Sequence, residues 1–112
     1  MVLIDPAGHL TATGGESELH AFAERMGLNP VWYQGAGRFR HYDCTTPRAR
    51  QRAQSHGAVH VPFRVLFAVA RRVGLYEPEL TSHADILETR LAEYLARPDG
   101  AALRQTLQGG DR

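Results

Sequence analysis

His41-Tyr42-Asp43 is the most compact grouping in the chain that could do chemistry. In an extended segment, side chains two apart share a face, so His41 and Asp43 would act together. A histidine exchanges protons near neutral pH, and a carboxylate beside it fixes which ring nitrogen carries the hydrogen. His9, which follows Gly8, reads as a second proton-transfer or ligand-positioning group. His41, Asp43 and His9 are therefore the candidate catalytic residues. Arg38 and Arg40 precede the motif and could hold an anion, with Tyr42 in the same loop. The competing reading is that Asp43 caps a turn and His41 is a solvated loop residue.

Other reactive types are less organised. Glu16 and His20 stand four apart at helical spacing and would pair locally. With Glu18 they could chelate an ion, but no HxxxH, HExxH or CxxC spacing is present, so no metal site is assigned. Cys44 is the single cysteine and has no motif around it. Arg48 and Arg52 lie one helical turn apart, as phosphate-gripping residues would, but so does any solvated arginine-rich helix. Trp32, Tyr33, Phe39 and Tyr42 interleave with Arg38 and Arg40, a mixture that could stack on bases and meet phosphates. No recognised nucleic-acid-binding signature accompanies it.

The elements that must position these groups follow from pattern. Apolar, β-branched or aromatic runs predict strands at Met1–Ile4, Val31–Gln34 and Ala58–Val61. Leu19, Phe22, Ala23 and Met26 recur at helical spacing, and Gly27 stops that helix. Thr46-Pro47 starts a second helix, which runs to Gly57. Phe63, Leu66, Phe67, Ala70 and Val73 form the apolar face of a third. Ser82 with Asp85 resembles a capping box for a fourth, whose stripe is Leu87, Leu91, Tyr94 and Leu95. A last short helix spans Ala101–Leu107, and a frayed tail covers 109–112.

The order β-α-β-α-β-α predicts an α/β fold: a small three-stranded parallel sheet with one or two added C-terminal helices. Ligands of parallel sheets bind outside the carboxyl ends of the strands. The loops at those ends hold Asp5, His9, Arg38, Arg40, His41, Tyr42 and Asp43, with Arg64 following. Tyr76-Glu77-Pro78-Glu79 reads as a linker. It divides an α/β domain over 1–75 from a helical extension over 76–112, which packs on that domain or on a dimer partner.

At 112 residues the chain makes one domain, and 43% hydrophobic with 22% charged residues excludes wholesale disorder. No apolar run reaches the roughly 18 residues that span a bilayer. With one cysteine and no signal-peptide pattern, the expectation is a cytoplasmic protein without a membrane partner. Every basic residue is arginine, and the charge is uneven. Residues 38–72 carry eight arginines against Asp43 alone, a net +7, between flanks that each sum to −3. Such a middle suits an anionic partner.

One resemblance gathers these residues. His9-Leu10, Glu18-Leu19-His20-Ala21-Phe22-Ala23, Gly27-Leu28, Trp32-Tyr33-Gln34, His41-Tyr42-Asp43, Arg50 and Gly57-Ala58-Val59 fall in the order of the DUF4031 family. These are small bacterial and phage proteins of unassigned function, and the similarity covers roughly residues 2–65. It implies that His20 joins His9, His41 and Asp43, with Arg50 in support. The chain departs from the family where the loop before His9 shortens to Pro6-Ala7-Gly8, and at Thr13, where an aspartate is common.

The sequence thus points to an anion site for a phosphate-bearing ligand, with chemistry at a phosphoester or nucleotide bond. His41, Asp43 and His9 would be catalytic, with Arg38, Arg40, His20, Arg50 and Tyr42 binding. The alternatives are a non-catalytic nucleic-acid- or protein-binding module, and an accessory subunit or homodimer assembled through Leu91 and Leu95.

Overall fold

Val2 and Ile4 face one core and Leu3 the other, the period-two signature of a strand covered on both sides. They form β1 (Val2–Ile4) in the computed structural model, which describes residues 1–109. Asp5 then reverses the chain. Its Oδ1 accepts the backbone N–H groups of Ala7 at 3.1 Å and His9 at 2.9 Å, the Asx-type bonding that builds tight turns. Gly8 completes the turn at φ +90°, a region that favours glycine. Its carbonyl accepts from Cys44 N at 2.8 Å. A Cβ at Gly8 would stand 2.1 Å from the Cys44 carbonyl oxygen.

That turn delivers β2 (His9–Ala12) antiparallel to β1, with Ile4 opposite Leu10 and Val2 opposite Ala12. Helix α1 (Glu16–Met26) buries Leu19, Phe22, Ala23 and Met26 and ends at left-handed Gly27. Strand β3 (Tyr42–Asp43) lies antiparallel to β2, pairing Asp43 with His9 and Tyr42 with Leu10. Helix α2 (Pro47–Ser55) starts where expected: Thr46 Oγ1 accepts from Ala49 N at 3.1 Å and Pro47 takes the first position. Strand β4 (Val59–His60) runs parallel to β1 on its other side. Helices α3 (Phe63–Arg72), α4 (Thr81–Leu95) and α5 (Ala101–Gly109) follow.

The sheet is therefore four-stranded and mixed, in the order β3-β2-β1-β4, and not the expected three parallel strands. Two local causes produce the difference. The Asp5–Gly8 turn is tight enough to return buried Leu10, Thr11 and Ala12 alongside β1, so a stretch read as loop becomes a strand. Val31–Gln34 is not a strand, because Asn29 Oδ1 accepts from Val31 N and Pro30 opens a 3-10 turn over Pro30–Trp32. Val31 and Trp32 are left exposed. Capping chemistry overrides the β-branched and aromatic composition there.

The sheet sits between two cores. One face packs against α1 and α2 through Val2, Ile4, Leu10, Leu19, Phe22 and Ala53. The other packs against α3, α4 and α5 through Leu3, Val65, Leu66, Leu87, Leu91 and Leu103. The expected Ser82–Asp85 capping box is absent, since α4 begins at Thr81 with no side-chain cap. The stretch read as a linker is tied down, with Arg40 N donating to Leu75 O at 2.8 Å and Glu77 N to Arg38 O at 2.9 Å. Beyond Gly109, the tail expected at the C-terminus lies outside the described residues. No helix among the described residues is long and apolar enough to cross a membrane.

Candidate functional site

Strand register builds the site. Asp5 N donates to His9 O at 3.3 Å and His9 pairs with Asp43, so Asp5, His9 and Asp43 form one row across three neighbouring strands. The row lies just past the carboxyl end of β1. His41 stands two residues before Asp43 and shares its face. His41 Nε2 is 3.2 Å from Asp43 Oδ1, and His9 Nε2 is 3.8 Å from the same oxygen. The anticipated trio of His9, His41 and Asp43 is thus brought together.

Each member is held from behind. His9 Nδ1 donates to Asp5 Oδ2 at 2.8 Å, and the Asp5 side chain is fully buried. His41 Nδ1 donates to the Phe39 carbonyl at 3.0 Å. Gln34 Nε2 donates to Asp43 Oδ2. Gln34 is placed for this by an antiparallel bridge to His41, with Gln34 N donating to His41 O at 2.8 Å. The Phe39 ring stacks on His41, centroids 3.9 Å apart and planes 10° apart, and Phe67 meets His9 edge-on at 5.6 Å. One side of the cluster is therefore apolar. His41 is buried, while His9 and Asp43 keep about a quarter of their side-chain surface.

His20 belongs elsewhere. Tyr42 alternates with its neighbours to the α1 side of the sheet, where its hydroxyl bonds His20 Nδ1 at 2.7 Å. Tyr33 donates to Glu16 Oε2 at 2.5 Å, and the His20 and Tyr33 rings meet at 4.4 Å. The Tyr33 hydroxyl holds Glu16 below the usual carboxylate range. Burial, with Glu16 alongside, pushes the Tyr33 phenol up, and burial also raises Tyr42. This is a second polar cluster, separate from the first.

The arginines divide as well. Arg40 donates to the Gly74 carbonyl and lies 3.7 Å from Glu16, turned from the histidine pair. Arg38 is exposed. Arg50 donates to Cys44 O at 3.3 Å and lines a cavity of about 220 Å³ with Asp5 and His60. Burial pushes the Cys44 thiol up to about 11, which removes it as a nucleophile. Thr13 stands at the far end of β2, where Oγ1 accepts from the Met1 amino group at 3.0 Å, so that departure does not touch the cluster. A cavity of about 520 Å³ opens beside Asp43, lined also by Gln34, Trp32, Val31, Thr45 and Thr46.

Two members of the cluster had no role assigned from sequence: Asp5, which was placed at that edge without one, and Gln34, which was not placed there. Asp5-Pro6-Ala7-Gly8-His9 did carry a signal, an aspartate heading a tight turn that returns the chain opposite it at His9. Gln34 stood in the sequence only within the Trp32-Tyr33-Gln34 stretch of the resemblance, and its place beside Asp43 depends on the bridge to His41.

Fold and site together define a small α/β protein whose mixed sheet bears a histidine–aspartate cluster at the end of its first strand. The chain belongs to the DUF4031 family: the family model, described as a protein of unknown function, matches residues 5–73, more than half of the chain. The match takes in Asp5, His9, Gln34, His41 and Asp43 and stops before α4. No curated protein and no solved structure matches the chain.

Proposed function

We propose that this chain is a hydrolase or transferase acting on a phosphoester of a small anionic, nucleotide-like molecule at the His9–His41–Asp43 cluster. The observation that carries this reading is the convergence of two imidazole nitrogens on Asp43 Oδ1, at 3.2 and 3.8 Å, beside a cavity that Asp43 also lines. Water attacking phosphorus must lose a proton, and three grouped acceptor atoms favour that loss. His41 and Asp43 act as one unit, and His9, oriented by Asp5, completes it. The cavity takes the rest of the ligand: Trp32 offers a ring face, and Thr45 and Thr46 stand at the amino end of α2, where anions are favoured.

The test is turnover of a chromogenic phosphomonoester, a phosphodiester and a nucleotide panel. His41→Ala and Asp43→Asn are expected to lower kcat/KM about 100-fold or more. Unchanged rates in both variants, or no turnover of any substrate class, would overturn the assignment.

The alternative, a nucleic-acid- or protein-binding module, draws on the exposed Trp32 and on Arg48. It is weakened because many of its arginines are engaged within the chain. Arg52 donates to Met26 O, Arg71 and Arg72 pair with Glu88, and Arg64 lies over Phe63. Binding to oligonucleotides that falls steeply with salt, unaffected by His41→Ala, would favour the module instead.

A further inference from the structure

We propose that His9 Nε2, His41 Nε2 and Asp43 Oδ1 bind one divalent transition-metal ion, leaving at least one coordination position open. This rests on the hydrolytic reading above only for its chemical use; the binding itself follows from which ring atoms carry hydrogen. A carbonyl oxygen accepts and cannot donate, so the bond to Phe39 O puts the His41 hydrogen on Nδ1. A carboxylate likewise only accepts, so the bond to Asp5 puts the His9 hydrogen on Nδ1. Both Nε2 atoms of the neutral rings then present lone pairs, and they present them to a carboxylate oxygen. Three acceptors facing one another are relieved either by protons taken up between them or by a cation, and one divalent ion satisfies all three at once.

The spacing suits a metal. Zinc bonds to nitrogen and oxygen are about 2.1 Å, which sets neighbouring tetrahedral ligands about 3.4 Å apart. The distances to Asp43 Oδ1, 3.2 and 3.8 Å, bracket that value, and one ligand atom from each of the three residues lies within 4.8 Å of the others. Two imidazoles with one carboxylate select zinc, iron or their neighbours over magnesium and calcium, which prefer all-oxygen sets.

The outer shell is present too. Metal-ligating histidines characteristically donate their second N–H to a carboxylate or a backbone carbonyl, and ligating carboxylates are themselves hydrogen-bonded. Asp5 serves His9, Phe39 O serves His41, and Gln34 serves Asp43. The Phe39 and Phe67 rings close one side, so an open position faces Asp43's exposed flank and the neighbouring cavity. With the ion bound the three donors would no longer take the proton themselves. A water on the open position would be acidified by the ion and would attack phosphorus as hydroxide, its proton passing to solvent, while the P–O ester bond breaks and the departing alcohol oxygen takes a proton from solvent.

The probes are Co²⁺ and Zn²⁺ added singly to the full chain after chelator treatment. One equivalent of Co²⁺ should give visible absorption bands. At a hundredfold excess over Kd, either ion should raise the unfolding midpoint by about 10 °C. His9→Gln and Asp43→Asn should each abolish both effects, while His56→Gln and His83→Gln should leave them intact. X-ray absorption of the Zn²⁺-loaded parent chain should show two imidazole shells and no sulfur, a readout that does not depend on any variant folding.

Absence of bands and of a midpoint shift at about 1 mM of either ion, the weak limit for a specific site, would overturn the proposal. So would a sulfur shell, which places the ion at Cys44, or effects that persist in His9→Gln. Phosphoester turnover on the same samples separates the two readings. An ion bound without turnover would overturn the hydrolytic reading and leave the metal site standing. Turnover undiminished in the metal-free chain would remove the ion from the reaction and leave the hydrolytic reading standing.

Discussion

Asp5 does two things with one carboxylate: Oδ1 builds the turn into β2 and Oδ2 holds the His9 ring. Asp5→Asn keeps the shape and an acceptor but replaces one oxygen with an amide that cannot accept from Nδ1. Loss of such an orienting partner weakens a metal site or its chemistry 10- to 100-fold. We expect a loss of that size in Co²⁺ affinity, with the far-ultraviolet circular dichroism unchanged. Gly8→Ala is a different kind of change. Its Cβ would meet the Cys44 carbonyl at 2.1 Å, at a φ of +90°. We expect about 2–4 kcal/mol of destabilisation in denaturant unfolding, from strain and the displaced β2–β3 edge. The His41–Asp43 pair was legible because two-residue spacing fixes a shared face in any extended segment. That His20 lies apart was not, since only the register of β3 shows Tyr42 turning toward α1 and taking His20 with it.

Helices were the readable elements. Gly27 and Thr46-Pro47 put their punctuation where the structure has it, because a left-handed C-cap and a threonine N-cap are local chemistry. The strands were less readable: β3 and β4 have two residues each, too few to show alternation, and β2 was hidden behind a turn only four residues long. The His9–His41–Asp43 cluster nonetheless lies past the carboxyl end of β1, the edge to which the sequence assigned those residues, and β1 and β4 are parallel even though the rest of the sheet is not. Between helices, Arg72 Nη2 meets Glu88 Oε1 at 2.6 Å across α3 and α4. The Arg72 hydrogen bond holds Glu88 below its ordinary value of 4.5. A carboxylate lowered on folding stabilises the fold above the unfolded value, and that contribution fades as pH falls through the folded one. Both groups are more than a third exposed, so solvent screening leaves only a few tenths of a kcal/mol. Stability compared at pH 7 and below pH 4 should therefore fall slightly less in Arg72→Ala than in the parent chain.

For the molecule as a whole, the family match ends at residue 73, yet the second core does not. Leu87 and Leu91 of α4 and Leu103 of α5 pack with Leu3 of β1 and Leu66 of α3. Deleting residues 78–112 would uncover that face, and each large apolar side chain returned to water costs about 1.5–3 kcal/mol. We expect the truncated chain to lose its cooperative thermal transition; a sharp transition near the parent midpoint would show that the first 77 residues stand alone. The anion preference expected of the arginine-rich middle is a property of the whole surface, and most of those arginines prove to be engaged locally.

The claim on which the account turns is that His9 and His41 present their Nε2 atoms to Asp43 as one site. Nitrogen-15 spectra of the histidine rings, with and without one equivalent of Zn²⁺, test it most directly. The chain has six histidines. The account predicts that His9 and His41 keep Nδ1–H throughout and that their Nε2 signals, and those of no other histidine, shift on adding Zn²⁺. A shift at His20, His56, His60 or His83 instead, or hydrogen on Nε2 of both His9 and His41 with zinc present, would contradict it.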